Sequence, residues 1–375
     1  MFRKMSKNGK TSLLLLAIAL LVAIFAACAN NADDNDHDVY TPEVVATPEP
    51  AEYPVIDDTP DLTDDTEEQD EVYKVIMLGS EITGAIHRIE YGDNVAYLFG
   101  TMHVSLEHWF PLADVVEDAL RRADVVAVEV AELALDPEIM FEALTEFLIL
   151  PDGQTWAEFL PEDAYSHLVS LLPEWGMNYL FVNTLNPAFF VYSLTLGLMI
   201  GIADPAISFE FSVDSYITVT AQELGLPIIG LESLQQQSEI LFNPPFDVML
   251  AMIMDLASPE EMVENIIESD ELLIDELVYL YERNDFQAMN DSFARTLDIE
   301  SDDPFVIYTR EVVSNWRSTY YANEIARLLR ETSDSTTFFV AVGLTHVNRS
   351  GAGEGFTDIV EQLELAGFTA VPLWR

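Results

Sequence analysis

The sequence predicts an α/β fold with a central, largely parallel sheet, flanking helices and a large helical insertion. Three observations carry this. Short β-branched runs recur at 125–130, 226–230 and 338–343, each bounded by turn residues. Segments with helical spacing separate them, the pattern of strands joined by helical crossovers. A long helical stretch, about 245–332, interrupts the alternation before the last strands.

The first 27 residues stand apart from that fold. Arg3, Lys4, Lys7 and Lys10 precede an uncharged apolar run over 13–27, which ends in Phe25-Ala26-Ala27-Cys28. A basic start and a short apolar run are the n- and h-regions of a secretion signal. Small residues before a cysteine resemble a bacterial lipobox, with Phe25 in place of the usual leucine. The expectation is a signal peptide over 1–27, a lipid on Cys28 and an extracytoplasmic, membrane-tethered protein. An uncleaved N-terminal anchor is the alternative and has the same sidedness. Cys28 is the only cysteine, so no intrachain disulfide or thiolate zinc site exists.

Residues 28–72 read as an acidic, disordered linker. Between 29 and 72 lie 16 acids, no lysine or arginine, and five prolines. Such a segment cannot bury enough apolar area to fold, and its charges extend it. Calcium binding is a weaker reading, because the acids lack EF-hand spacing. The whole chain carries a formal charge of −50. That sign argues against a nucleic-acid partner and makes a covalent lipid the more natural membrane tether.

The body, 73–375, is read in order. His87 to Tyr91, Gly92-Asp93-Asn94 and Val95 to Phe99 form a hairpin pattern. A helix is expected over 112–123 and a strand over 125–130. Helices follow at 137–148, 157–172 and 187–200, then a strand at 226–230. Amphipathic helices are expected at 245–257, 259–282, 286–297 and 303–332. A strand at 338–343, a helix at 356–366 and a strand at 369–373 complete the chain. The stretch 179–203 has no charged residue. It reads as a buried helix pair, with a second membrane contact as the alternative.

Polar residues at strand ends suggest chemistry. Phe99-Gly100-Thr101-Met102-His103 and Val342-Gly343-Leu344-Thr345-His346 share the form apolar strand, Gly-x-x-His. Glu129 ends the run 125–130, and Glu232 follows the run 226–230. In open α/β sheets, sites lie beyond the carboxyl ends of strands. Two histidines and two carboxylates are therefore expected to converge, although each taken alone reads equally as a surface histidine or a capping acid. Gly351, Gly353 and Gly355 superficially suggest a phosphate loop, but read better as a flexible turn.

These motifs, taken with Leu226-Pro227-Ile228-Ile229-Gly230-Leu231-Glu232-Ser233, Gln237 and the closing Leu365-Ala366-Gly367-Phe368, resemble the TraB/GumN family, which includes the Tiki metalloproteases. The resemblance covers about 86–375. It implies a fold related to erythromycin esterase-like and haem-binding ChaN-like proteins, and a metal-dependent hydrolytic site acting on peptides in the Tiki branch. It implies His103, His346, Glu129 and Glu232 as metal ligands, with Glu129 and Glu232 also catalytic and Gly100, Gly343, Asp214 and Asn315 supporting. Ser212 replaces the glycine of a Gly-Val-Asp element, and Ser314 replaces an arginine before Asn315, leaving Arg317 or Arg349 to take that role. Imidazole with carboxylate suits Mn²⁺, Fe²⁺, Co²⁺ or Zn²⁺. The expected ligand is a peptide or small apolar molecule. Two further classes are open: a metal-independent esterase-like hydrolase, and a non-enzymatic protein that captures peptide or haem. Met249, Met252 and Met254 suit an apolar groove, and equally an ordinary helix core.

Overall fold

A computed structural model describes residues 82–131, 147–150, 154–158, 160–172, 182–209, 211–256, 271–296, 301–333, 335–347 and 355–374. The expected leader, Cys28, the acidic linker and most of the helix expected over 137–148 lie outside the described residues.

The strands are β1 (His87–Tyr91), β2 (Asn94–Thr101), β3 (Val125–Val130), β4 (Ile228–Glu232), β5 (Thr337–Gly343) and β6 (Ala370–Pro372). They form one mixed sheet in the order β4-β3-β5-β2-β1-β6. β4, β3, β5 and β2 run parallel, while β1 is antiparallel to both β2 and β6. The β1–β2 hairpin turns at Gly92, whose φ of 60° is a left-handed conformation that glycine adopts without a Cβ clash. β5 is central and has no polar face: Phe338, Phe339, Val340, Ala341 and Val342 are all buried. A strand covered on both faces reads as a continuous apolar run, as the strand expected over 338–343 does.

Helices flank the sheet: α1 (Asp114–Arg121), α2 (Glu162–Leu171), α3 (Pro187–Ile202), α4 (Val213–Glu223), α5 (Leu234–Phe242), α6 (Phe246–Leu256), α7 (Glu271–Glu282), α8 (Phe286–Thr296), α9 (Pro304–Tyr308), α10 (Arg317–Glu331), α11 (Leu344–Val347) and α12 (Ile359–Leu365). The main core joins the sheet to α1, α4, α7, α10 and α12. A second core lies wholly within the helical insertion, where Trp156, Leu168, Leu172, Phe190 and Met252 meet. The first turn of α3 buries Ala188, Phe189, Phe190 and Val191. No helix among the described residues is long and apolar enough to cross a membrane.

Several boundaries differ from expectation for local reasons. The helix expected over 157–172 splits into a 3₁₀ turn, Trp156–Glu158, and α2, because Pro161 disfavours helix at the residue before it and starts the new one. The segment expected over 356–366 begins only at α12, where the Asp358 side chain accepts the Glu361 N–H. The expected single helix 303–332 contains a π-helical stretch, Thr309–Trp316, between α9 and α10. Three helices were not anticipated: α4, α5 and the short α11. The first two carry a readable start: Ser212 caps α4, and Ser233 with Gln236 forms a capping box on α5.

Candidate active site

The parallel quartet places its carboxyl ends side by side. Thr101 of β2 is opposite Gly343 of β5, and Val130 of β3 is opposite Glu232 of β4. The residues that follow or end these strands therefore share one rim.

Gly343 marks the centre of this rim. A Cβ there would sit 3.2 Å from Glu129 Oε1, 3.8 Å from His346 Cδ2 and 3.9 Å from His103 Nε2. Three of the four expected residues thus face one point, which a side chain larger than glycine would fill. The Gly343 N–H also donates to Glu129 Oε1 at 2.7 Å. Gly100 serves packing instead, since a Cβ there would meet Leu344 Cδ1 at 2.5 Å.

Each histidine is held from behind through Nδ1. His103 Nδ1 bonds Asp214 Oδ2 at 3.0 Å, and Thr101 Oγ1 donates to the other Asp214 oxygen at 2.5 Å. The start of α4 brings Asp214 there, fixed by the Val213 N–H donating to the Met102 carbonyl. The His103 ring is 76% exposed. The Asp214 charge raises its pKa above the ordinary imidazole value, with solvent screening softening the effect. His346 is buried in α11, with Nδ1 2.9 Å from Ser318 Oγ. Orienting partners of this kind are what position a histidine as a ligand or base.

The acids form a closed network. Arg317 Nη2 lies 2.9 Å from Glu129 Oε2 and 2.6 Å from Glu232 Oε1. The Tyr321 hydroxyl donates to Glu232 Oε1 at 2.6 Å, and Gln237 Nε2 donates to the same oxygen at 3.1 Å. Burial pushes Glu129 upward, but Arg317, His346, His103 and the Gly343 N–H outweigh it and hold the carboxyl at about 2. Burial opposes the charge on Arg317, and Glu129, Tyr321 and Glu232 overcome it, raising the guanidinium pKa. Burial, followed by the Glu129 charge, raises Tyr321 well above its usual value, so it remains an O–H donor.

Glu232 belongs to the same rim, where its contacts are with Arg317, Tyr321 and Gln237. Asn315 lies elsewhere. Its side chain donates to the Gly355 carbonyl and accepts the Thr357 N–H, fastening the turn before α12. Arg317, Ser318 and Tyr321 come from one face of α10, at positions i, i+1 and i+4. That spacing of polar residues on an amphipathic helix is the signal that would have found Ser318 and Tyr321.

Among the described residues, no group of three or more His, Cys, Asp or Glu side chains is already spaced to hold a metal ion. The atoms around Gly343 are nonetheless of the right kind: two imidazoles and one carboxylate oxygen, set about a point kept clear by glycine.

Searches of curated proteins and of solved structures find no match. The TraB/PrgY/gumN family model matches residues 85–372, which includes every strand and every rim residue above, and the chain belongs to that family.

Proposed function

We propose that this protein is a hydrolase held at the outer face of a membrane through Cys28, that it acts on peptides, and that its reacting centre is the Gly343 rim. The single observation carrying the reading is the convergence of His103 Nε2, the His346 ring and Glu129 Oε1 within 4 Å of one glycine. The sequence likeness to Tiki metalloproteases points to peptides, and the same likeness suggests kinship with erythromycin esterase-like and ChaN-like folds.

His103, His346 and Glu129 would hold a divalent ion of the Mn, Fe, Co or Zn type. The chemistry such an ion supplies is polarisation of a carbonyl and a lowered pKa for bound water. The chain's own residues supply the rest. Asp214 holds the His103 ring through Nδ1, so that Nε2 faces the Gly343 point as a ligand atom. Glu129 stays ionised at neutral pH, its Oε1 oriented by the Gly343 N–H. Arg317, Tyr321 and Gln237 hold the carboxylates in place while contributing no proton to the reaction. The −50 charge disfavours acidic substrates and favours neutral or basic peptides.

A second reading has its own observation. The exposed Asp214–His103 pair would serve as a general base once the pH exceeds the raised His103 pKa, and hydrolysis through it needs no metal. Mass-spectrometric cleavage of a peptide library by the full chain, with and without chelator, tests both. Cleavage lost in His103→Ala and His346→Ala and abolished by chelator supports the metal-dependent reading. Chelator-resistant cleavage supports the second. Cleavage at the wild-type rate in both variants defeats hydrolysis at this rim.

A further inference from the structure

We infer that Ser318 is a positioning residue that fixes the tautomer of His346, and thereby makes its Nε2 the proton-free nitrogen turned toward the Gly343 point. The inference builds on the proposed site, but its test does not depend on turnover.

The argument starts from the hydroxyl inventory. A serine hydroxyl has one proton to give and lone pairs to accept with. Ser318 Oγ sits 2.9 Å from the Ser314 carbonyl and 2.9 Å from His346 Nδ1. Ser318 Oγ donates its proton to the Ser314 carbonyl, which leaves only its lone pairs for His346. The second contact is then a hydrogen bond only if His346 Nδ1 carries the proton and donates. Ser318 is 0% exposed and His346 5% exposed, so solvent offers no easy substitute for either partner. A buried donor or acceptor left unmatched is costly.

The neighbours limit the ring further. Tyr321, one turn beyond Arg317 on α10, meets the His346 ring edge-on at 5.3 Å between centroids. The ring's Cδ2, bonded to Nε2, is the His346 atom nearest the Gly343 point. With the proton held at Nδ1, Nε2 carries a lone pair. That state serves both as a ligand to a divalent ion and as an acceptor from a substrate or water. The two histidines are held through Nδ1 by different partners: a carboxylate behind His103, and a neutral hydroxyl relay to a backbone carbonyl behind His346.

The test is ¹⁵N NMR of full-length protein labelled at histidine. The chain has only six histidines, and His346→Gln assigns the resonance of interest. At neutral pH the wild type is expected to show His346 protonated at Nδ1 and unprotonated at Nε2. The reverse tautomer would overturn the inference, whatever the fate of Ser318→Ala. Ser318→Ala, checked for folding by circular dichroism, is expected to shift His346 toward the Nε2–H form. It should also weaken Mn²⁺ or Zn²⁺ binding by about 10–100-fold, the usual effect of losing such a partner. An unchanged tautomer in Ser318→Ala would likewise overturn it. Loss of the tautomer with hydrolysis intact would break the link to function while leaving the positioning role standing, so the two ideas fail separately.

Discussion

The two sides of the rim differ in what they leave open. On the β3–β4 side, Glu129 and Glu232 are closed in by Arg317, Tyr321 and Gln237, with Arg317 and Glu232 almost wholly buried. On the β2 side, His103 is 76% exposed and tied only to Asp214. The first region sets positions and charge; the second presents a reactive edge. The contrast separates residues whose loss should unfold the protein from those whose loss should only silence it.

The sharpest break comes from Arg317→Met. It leaves two buried carboxylates without their cation, and removing one partner of a buried pair costs about 3–5 kcal/mol. Urea unfolding at neutral pH measures it; a change under about 1 kcal/mol would show the network to be solvated.

Acid should act on the same side. Glu129 is held at about 2, below its ordinary 4.5. Its ionisation therefore stabilises the fold fully above the unfolded value, and that contribution is lost as pH falls from about 4.5 toward 2. The linked loss is on the order of 3 kcal/mol. Stability followed from pH 6 to 2 should fall more steeply in the wild type than in Glu129→Gln.

Tyr321→Phe is a smaller change of the same kind. It removes one donor to Glu232 Oε1 while Arg317 and Gln237 remain, and a single hydrogen bond to a charged group is worth about 1.5–3 kcal/mol. His103→Ala should be the smallest, within about 0.5 kcal/mol of wild type in the same urea assay, because an exposed side chain supports little packing. A loss as large as that of Arg317→Met would erase the distinction between the two sides.

Much of this arrangement was legible from the chain. The Gly-x-x-His pairs and Glu129 were visible because each lies at or just past a short apolar strand, and strand ends of a parallel quartet meet at one rim. Glu232 was also placed on that rim and Arg317 was one of two candidates for the family's arginine, but their pairing was hidden. Arg317, Ser318 and Tyr321 lie on a helix 85 or more residues further along, and no local pattern states which face of a helix will meet a strand end. β4 starts and ends two residues later than expected: Leu226 and Pro227 extend the apolar run but precede the strand, with only the Pro227 carbonyl bonded to β3, through the Val126 N–H. The capping signals at Ser212 and Ser233 are present in the sequence, but the helices they start carry only weak apolar periodicity. The π-helical stretch before Arg317 left no trace in that periodicity.

The most direct test of the central claim is metal content. Full-length wild type, His103→Ala and His346→Ala, purified side by side and exposed to equal Mn²⁺ and Zn²⁺, would be measured by inductively coupled plasma mass spectrometry. The account predicts about one ion per chain in the wild type and near none in either variant, since loss of one ligand opens the coordination shell. Equal metal in all three proteins, or none in the wild type, would contradict it.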